Sequence, residues 1–92
     1  MSKLTIFCFY DGNTGPSLLQ ESMVKNVEAL FKRKVDFIRV NINNNEELVK
    51  KYDIREIPSI VIEKNGRAVE KFNGLTQELF LRRAIEKFLK EI

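Results

Sequence analysis

Residues 59–72 read Ser59-Ile60-Val61-Ile62-Glu63-Lys64-Asn65-Gly66-Arg67-Ala68-Val69-Glu70-Lys71-Phe72. Two strand-like runs meet at Asn65-Gly66, a dipeptide that suits the tight two-residue turn joining antiparallel neighbours. The stretch therefore predicts a hairpin of strands over 59–64 and 67–72. Upstream of it the chain is organised differently. Residues 3–10 (KLTIFCFY) are rich in β-branched and aromatic side chains and stop at the turn-forming Asp11-Gly12-Asn13, as a buried first strand would. Over 17–34, Leu19, Met23, Val27, Leu30 and Phe31 recur at helical spacing, with Leu18 and Val24 widening the stripe; Thr14 stands as a candidate N-cap and Pro16 in the first turn. A second strand over 35–42 (VDFIRVNI) ends at Asn43-Asn44-Asn45, a cluster able to cap a short helix over 46–52 that is apolar through Leu48, Val49 and Tyr52. Beyond the hairpin, Asn73-Gly74 breaks the chain before a last helix over 76–91 that would bury Leu81, Ala84, Ile85, Phe88 and Leu89. The order is βαβαββα. Helical crossovers join the first three strands and a tight turn joins the last two, so the fold class is α/β, with a four-stranded mixed sheet flanked by three helices on both faces.

Ninety-two residues, 43% hydrophobic and 32% charged, suit one soluble domain spanning 1–92, since separate cores normally need about 100 residues each. No apolar stretch approaches the roughly 20 residues of a membrane helix, and Met1-Ser2-Lys3 opens without the apolar segment of a signal peptide. The expectation is a cytoplasmic protein without membrane contact. Its one cysteine, Cys8, cannot form an intramolecular disulfide, which agrees with a reducing compartment. The net charge is +3, but the basic residues are scattered (Lys32-Arg33-Lys34, Lys50-Lys51, Arg82-Arg83) and interleaved with acids, as on a solvated face. No nucleic-acid partner is expected. With no histidine, one cysteine and no oxygen-ligand loop, no metal site is expected either; Gly12 and Gly15 match no nucleotide fingerprint, so no cofactor is implied.

Four local signatures carry a resemblance. Phe9-Tyr10 ends the first strand and leads through a short turn into Thr14-Gly15-Pro16-Ser17. Arg39-Val40-Asn41-Ile42-Asn43 ends the second strand. Tyr52-Asp53-Ile54-Arg55-Glu56-Ile57-Pro58-Ser59 precedes the third, and Lys64-Asn65-Gly66 is followed at a distance by Gly74. In this order and spacing the chain resembles thioredoxin over essentially its whole length. The family has Cys-Gly-Pro-Cys at the first signature, a strand ending in Asn-Ile-Asp at the second, and Tyr-Gly-Ile-Arg-Gly-Ile-Pro-Thr, with a cis proline, at the third. The leading strand and helix of full-length thioredoxin are absent, so the resemblance is to the shorter, glutaredoxin-sized members. It implies the thioredoxin fold, with 35–42 at one sheet edge, then 3–10, 59–64 and 67–72, and with 3–10 parallel to 35–42 and antiparallel to 59–64.

The resemblance breaks at the chemistry. Exchange of thioredoxin type needs a thiolate at the helix N-terminus and a second thiol to resolve the mixed disulfide, and Thr14 and Ser17 offer hydroxyls. A hydrolase nucleophile at either position would need an adjacent base, and the chain has no histidine to serve. The plainer reading makes Thr14 a cap and Ser17 a first-turn residue, with both hydroxyls bonded to the helix's own backbone. Cys8 falls where the family has the buried aspartate under its active site, and a small buried hydrophobe accounts for it better than a working thiol. What the resemblance leaves is a peptide groove: Asn13, Gly15 and Pro16 on one side, Ile57-Pro58 opposite, with Tyr10 and Gly74 lining it. Two functions follow. One is a redox-inert module holding a protein or extended peptide in that groove; the other is a thiol-disulfide oxidoreductase seen as an active-site variant or with atypical thiol usage.

Overall fold

The structure, a computed structural model, describes residues 4–12 and 14–91. Lys3 of the expected first strand and Asn13 of the expected groove lie outside the described residues. Strands β1 (Leu4–Tyr10) and β2 (Asp36–Asn41) are separated by helix α1 (Gly15–Phe31). A single 3-10 turn (Ile42–Asn44) leads into helix α2 (Glu46–Lys51), followed by β3 (Ser59–Lys64), β4 (Arg67–Asn73) and helix α3 (Glu78–Lys90). Asn65 and Gly66 both take left-handed φ values, 53° and 83°, as the two-residue hairpin turn requires. The asparagine cluster acts differently from the expectation. No side chain caps α2; instead Asn41 Oδ1 accepts from Asn43 N at 2.9 Å and Asn45 Nδ2 donates to Asn41 O at 2.8 Å, so the amides tie the 3-10 turn to the end of β2.

The sheet order is β2-β1-β3-β4, with β1 parallel to β2 and antiparallel to β3, and β3 antiparallel to β4. This is the thioredoxin arrangement that the resemblance implied. Alternation along the two central strands sorts their side chains between two cores. Leu4, Ile6, Cys8 and Tyr10 of β1 join Ile60 and Ile62 of β3 beneath α1 and α3, against Val24, Val27, Leu81, Ile85 and Phe88. Phe9 and Val61 face the other way, with Val40 and Tyr52, toward α2 and its Leu48 and Val49. A bulge on the edge strand leaves Val69 without an opposite residue, since Ile62 faces Glu70 and Glu63 faces Ala68.

Helix α1 buries a different face from the one its leucines suggest. Leu18, Leu19 and Leu30 are exposed, and the buried stripe is Ser17, Gln20, Val24 and Val27. Their spacing of three, four and three residues is helical, but two of its four members are polar, so counting apolar residues selects the neighbouring stripe. Each polar member is buried because it has partners. Gln20 Nε2 donates to Thr76 O at 2.9 Å while Thr76 N donates to Gln20 Oε1 at 2.7 Å, a reciprocal pair between α1 and the segment entering α3. The stripe assignment can be checked by truncation. Val27→Ala is expected to cost roughly 2 kcal/mol, whereas Leu30→Ala should stay within about 0.5 kcal/mol. Urea midpoints at unchanged m-value are the measurement, and equal costs at the two positions would contradict the burial described.

Candidate functional site

The strand registers bring the singled-out residues to one end of the sheet. Phe9 lies opposite Val40 on one side and Ser59 on the other, and Ser59 lies opposite Asn73. From this row β1 runs on into Asp11 and the start of α1, β2 into Asn41, and β4 into Gly74, while the chain enters β3 through Glu56, Ile57 and Pro58. Segments more than 60 residues apart in sequence thus lie at one end of the sheet, its rim.

At the start of α1, Thr14 occupies the N-cap position but makes no side-chain bond to the helix backbone. Its hydroxyl donates to Asp11 Oδ1 at 2.8 Å, and its amide points to the same oxygen at 3.4 Å. The Ser17 hydroxyl also donates to Asp11 Oδ1, at 3.0 Å, and accepts from Asp11 N at 3.4 Å. The expectation that both hydroxyls serve the helix's own backbone is therefore corrected: they converge on one carboxylate outside the helix. An ionised carboxylate is acceptor-only, with room for several donors, and outcompetes a neutral carbonyl for them. The Thr14 bond, then that from Ser17, holds the Asp11 carboxyl below its usual range. In sequence Asp11 reads only as a turn residue; its place three residues before Thr14 is the one local hint of more. Gly15 and Pro16 are exposed on the first turn of the helix, while Ser17 is buried.

Cys8 is completely buried and unpaired, in register beside Arg39 of β2. Burial pushes its thiol up to about 12, far from ionisation at neutral pH. A guanidinium nearby would favour a thiolate, but Arg39 is already held by two carboxylates of α1, bonding Glu21 at 3.1 Å and Glu28 at 2.7 Å. Those partners raise Arg39 further, and Arg39 in turn lowers Glu28. The two acids are seven residues apart, two helical turns, which is how one side chain reaches both. Tyr10 is also buried; its hydroxyl lies near Cys8 and Glu21 without a hydrogen bond of good geometry, and desolvation raises it above the usual phenol range. Beside these residues a cavity of about 350 Å³ opens between α1 and β2, lined by Tyr10, Ser17, Leu18, Arg39, Val40 and Asn41 among others.

Across the rim the Ile57–Pro58 peptide bond is cis. The Pro58 ring is buried, whereas Ile57 is part-exposed, and no turn or loop hydrogen bond among the described residues engages the Ile57 backbone. Fixed neighbours flank this segment. Ser59 Oγ donates to Glu56 O at 2.5 Å, and Lys71 Nζ donates to Tyr52 O and Asp53 O at 3.2 and 2.9 Å, neutralising the carbonyls where α2 ends. The Tyr52 hydroxyl in turn donates to Glu63. Gly74 has φ +80°, a left-handed conformation that favours glycine, and its α-carbon faces the exposed carboxylate of Glu56. Tyr10 and Pro58 are thus buried, while Gly15 and Pro16 are exposed and Ile57 and Gly74 part-exposed. Among the described residues no group of three or more potential metal ligands comes together.

The sequence matches the thioredoxin family over residues 2–87. The chain belongs to the thioredoxin family. It is 31% identical to thioredoxin-1 of Drosophila yakuba over 72 residues, covering 78% of this chain and 67% of that one. Among solved structures, the germline-specific thioredoxin Deadhead of Drosophila melanogaster superposes with a TM-score of 0.85 at 28% identity, over 94% of this chain and 81% of that one. The thioredoxin of Fasciola hepatica does so with a TM-score of 0.83 at 28% identity, over the same shares. This chain has one cysteine, at position 8, and none at 14 or 17.

The Asp11 interaction has a definite pH signature. Because its folded pKa is depressed, the carboxylate contributes stability that is present above the unfolded carboxylate range and is lost as pH falls through the lower, folded value. Following the Asp11 carboxyl carbon by NMR should give a midpoint below that of an unstructured aspartate. Thr14→Ala should move the midpoint upward by more than Ser17→Ala. A normal midpoint in the unmodified protein would contradict the bonding described.

Proposed function

We propose that this member of the thioredoxin family is a redox-inert binding module, one thioredoxin-like domain over residues 1–92, which works in the cytoplasm and holds a protein segment or extended peptide against the rim formed by residues 14–17, Ile57 and Gly74. The observation that carries the reading is the bonding of Thr14 and Ser17 to Asp11. At the two positions where the family keeps its dithiol, this chain has hydroxyls committed to a carboxylate, so neither sulfur nor electrophilic character is present there. Disulfide exchange requires a thiolate to attack one sulfur and displace the other, and a hydroxyl bonded to a carboxylate does neither. Cys8 does not replace them, since a buried thiol raised to about 12 is neither ionised nor accessible at neutral pH.

Binding capacity rests on the backbone. The Ile57 N–H and C=O lie outside the β3 ladder at a part-exposed position, and an extended peptide can pair with such groups as an added strand. Exposed Pro16 and Gly15 and the left-handed Gly74 leave room for it. Affinity should be modest, because without a covalent mixed disulfide a short contact must offset the peptide's loss of chain entropy by itself. The second reading, a thiol-disulfide oxidoreductase, is favoured by the relatives, which are thioredoxins; it requires a thiol at 14 or 17, which this chain does not have, or atypical use of Cys8.

Insulin reduction by dithiothreitol separates the two. The unmodified chain should leave the rate unchanged, and the double variant Thr14→Cys/Ser17→Cys should accelerate it, because the helix N-terminus and the rim are otherwise in place. Catalysis by the unmodified chain would overturn the redox-inert reading. The Cys8 thiol should also resist iodoacetamide at neutral pH until the protein unfolds, with labelling and loss of circular dichroism sharing one urea midpoint. Labelling of the native protein at the rate of a free thiol would point back to the oxidoreductase.

A further inference from the structure

Gln20 is fully buried in the stripe of α1 that otherwise packs through Val24 and Val27. A leucine there would need no partner, so what distinguishes glutamine is the geometry of its amide. It presents a donor and an acceptor side by side, the same pair that a peptide group presents, and can therefore bond both backbone groups of one residue. The side chain does this with Thr76, at 2.9 and 2.7 Å, across 56 residues of sequence. Thr76 lies in the connection between β4 and α3, and its hydroxyl donates to Gly74 O at 3.1 Å. A second tie, Asn26 Nδ2 to Glu78 Oε2 at 2.9 Å, joins the two helices further along. The segment that carries Gly74 and Leu75 is thus anchored to the helix whose first turn carries residues 15–17. Gln20 is three residues beyond Ser17, within one turn. One helix thus carries residues 15–17 and anchors the segment at Gly74.

We propose that Gln20 is a positioning residue for peptide binding, holding Gly74 and Leu75 at a set separation from the start of α1 so that an extended peptide meets a preformed groove. The inference rests on the binding reading above and adds the device that shapes the site. Preformed geometry matters because a short peptide leaves little interaction energy with which to order a loose loop.

The test uses the isotopically labelled full chain and two readouts, the hydrogen-exchange protection of the Thr76 amide and the affinity for the neutral peptide acetyl-Ala-Val-Leu-Ala-amide read from chemical shifts. In Gln20→Leu the Thr76 protection factor should fall by about tenfold or more while those of Ile6 and Val61 hold, as local opening requires. The peptide affinity should fall by about threefold or more, because the wall must now be ordered on binding. Gln20→Glu supplies the conservative rescue. Its protonated carboxyl offers one donor and one acceptor in the same arrangement, while the ionised form has no donor for Thr76 O. Protection and affinity in this variant should both approach the unmodified values on acidification and fall together as the carboxyl ionises, a step absent from the unmodified protein. Unchanged Thr76 protection in Gln20→Leu would overturn the tie itself. Lost protection with unchanged peptide affinity would overturn the positioning role and leave the binding reading intact. If Gly15, Ile57 and Gly74 of the unmodified protein do not respond to the peptide at its solubility limit, the binding reading fails, and the role of Gln20 fails with it.

Discussion

Burial of the two central strands on both faces is the constraint on which the rest of this molecule depends. β1 has β2 along one edge and β3 along the other, and β3 has β1 and β4, so their backbone groups are satisfied within the sheet and their side chains must be covered above and below. Leu4, Ile6, Phe9, Ile60, Val61 and Ile62 are all essentially removed from water. Covering one face takes α1 and α3 together; α2 and the loop around Tyr52 cover the other. The parallel pairing of β1 with β2 forces a crossover, which α1 supplies, and that crossover is what places a helix N-terminus over the end of β1. The position of the rim is therefore a consequence of how the core is closed, and it survives any change in the side chains that occupy it.

That independence explains how the chain can retain a family's architecture without its reactive groups. The thiol positions belong to a loop and a first helical turn, held by the backbone, and substituting them leaves the core untouched. What replaces them is a self-contained arrangement: Asp11 accepts from Thr14 and Ser17, and the carboxylate's charge is met by donors already present. Beneath it, Cys8 occupies a core position as a small apolar side chain. Burial keeps that thiol un-ionised, and the pull of the neighbouring Arg39 is opposed by Glu21 and Glu28, which pair with it. Such a pair of acids around one guanidinium secures β2 to α1 at the sheet's edge, where β2 has no further strand to support it.

Much of the fold was legible because its signals are local and strong. Asn65-Gly66 specifies its turn through the φ values those two residues tolerate; the β-branched and aromatic runs specify strands; crossovers and hairpin then imply a mixed four-stranded sheet, whose strand order the resemblance to thioredoxin supplied. Gly15, Pro16, Ile57 and Gly74 were named only through the resemblance to thioredoxin. Less legible was anything in which a polar residue takes an apolar residue's place. The leucines at 18, 19 and 30 drew attention to a stripe that faces solvent, because Ser17 and Gln20 occupy the buried one.

The sequence by itself determined the order and type of the elements, the α/β class and the absence of a dithiol, since each of these follows from local conformational preference or from which atoms a side chain contains. Only the tertiary structure decided which polar groups pair: Thr14 and Ser17 with Asp11 in place of the helix backbone, Arg39 with two acids of α1, Gln20 with Thr76 across 56 residues. A hydrogen bond depends on the separation and orientation of two groups in space, and neither is encoded by either residue alone. It becomes available only when packing of the core has brought the partners within reach.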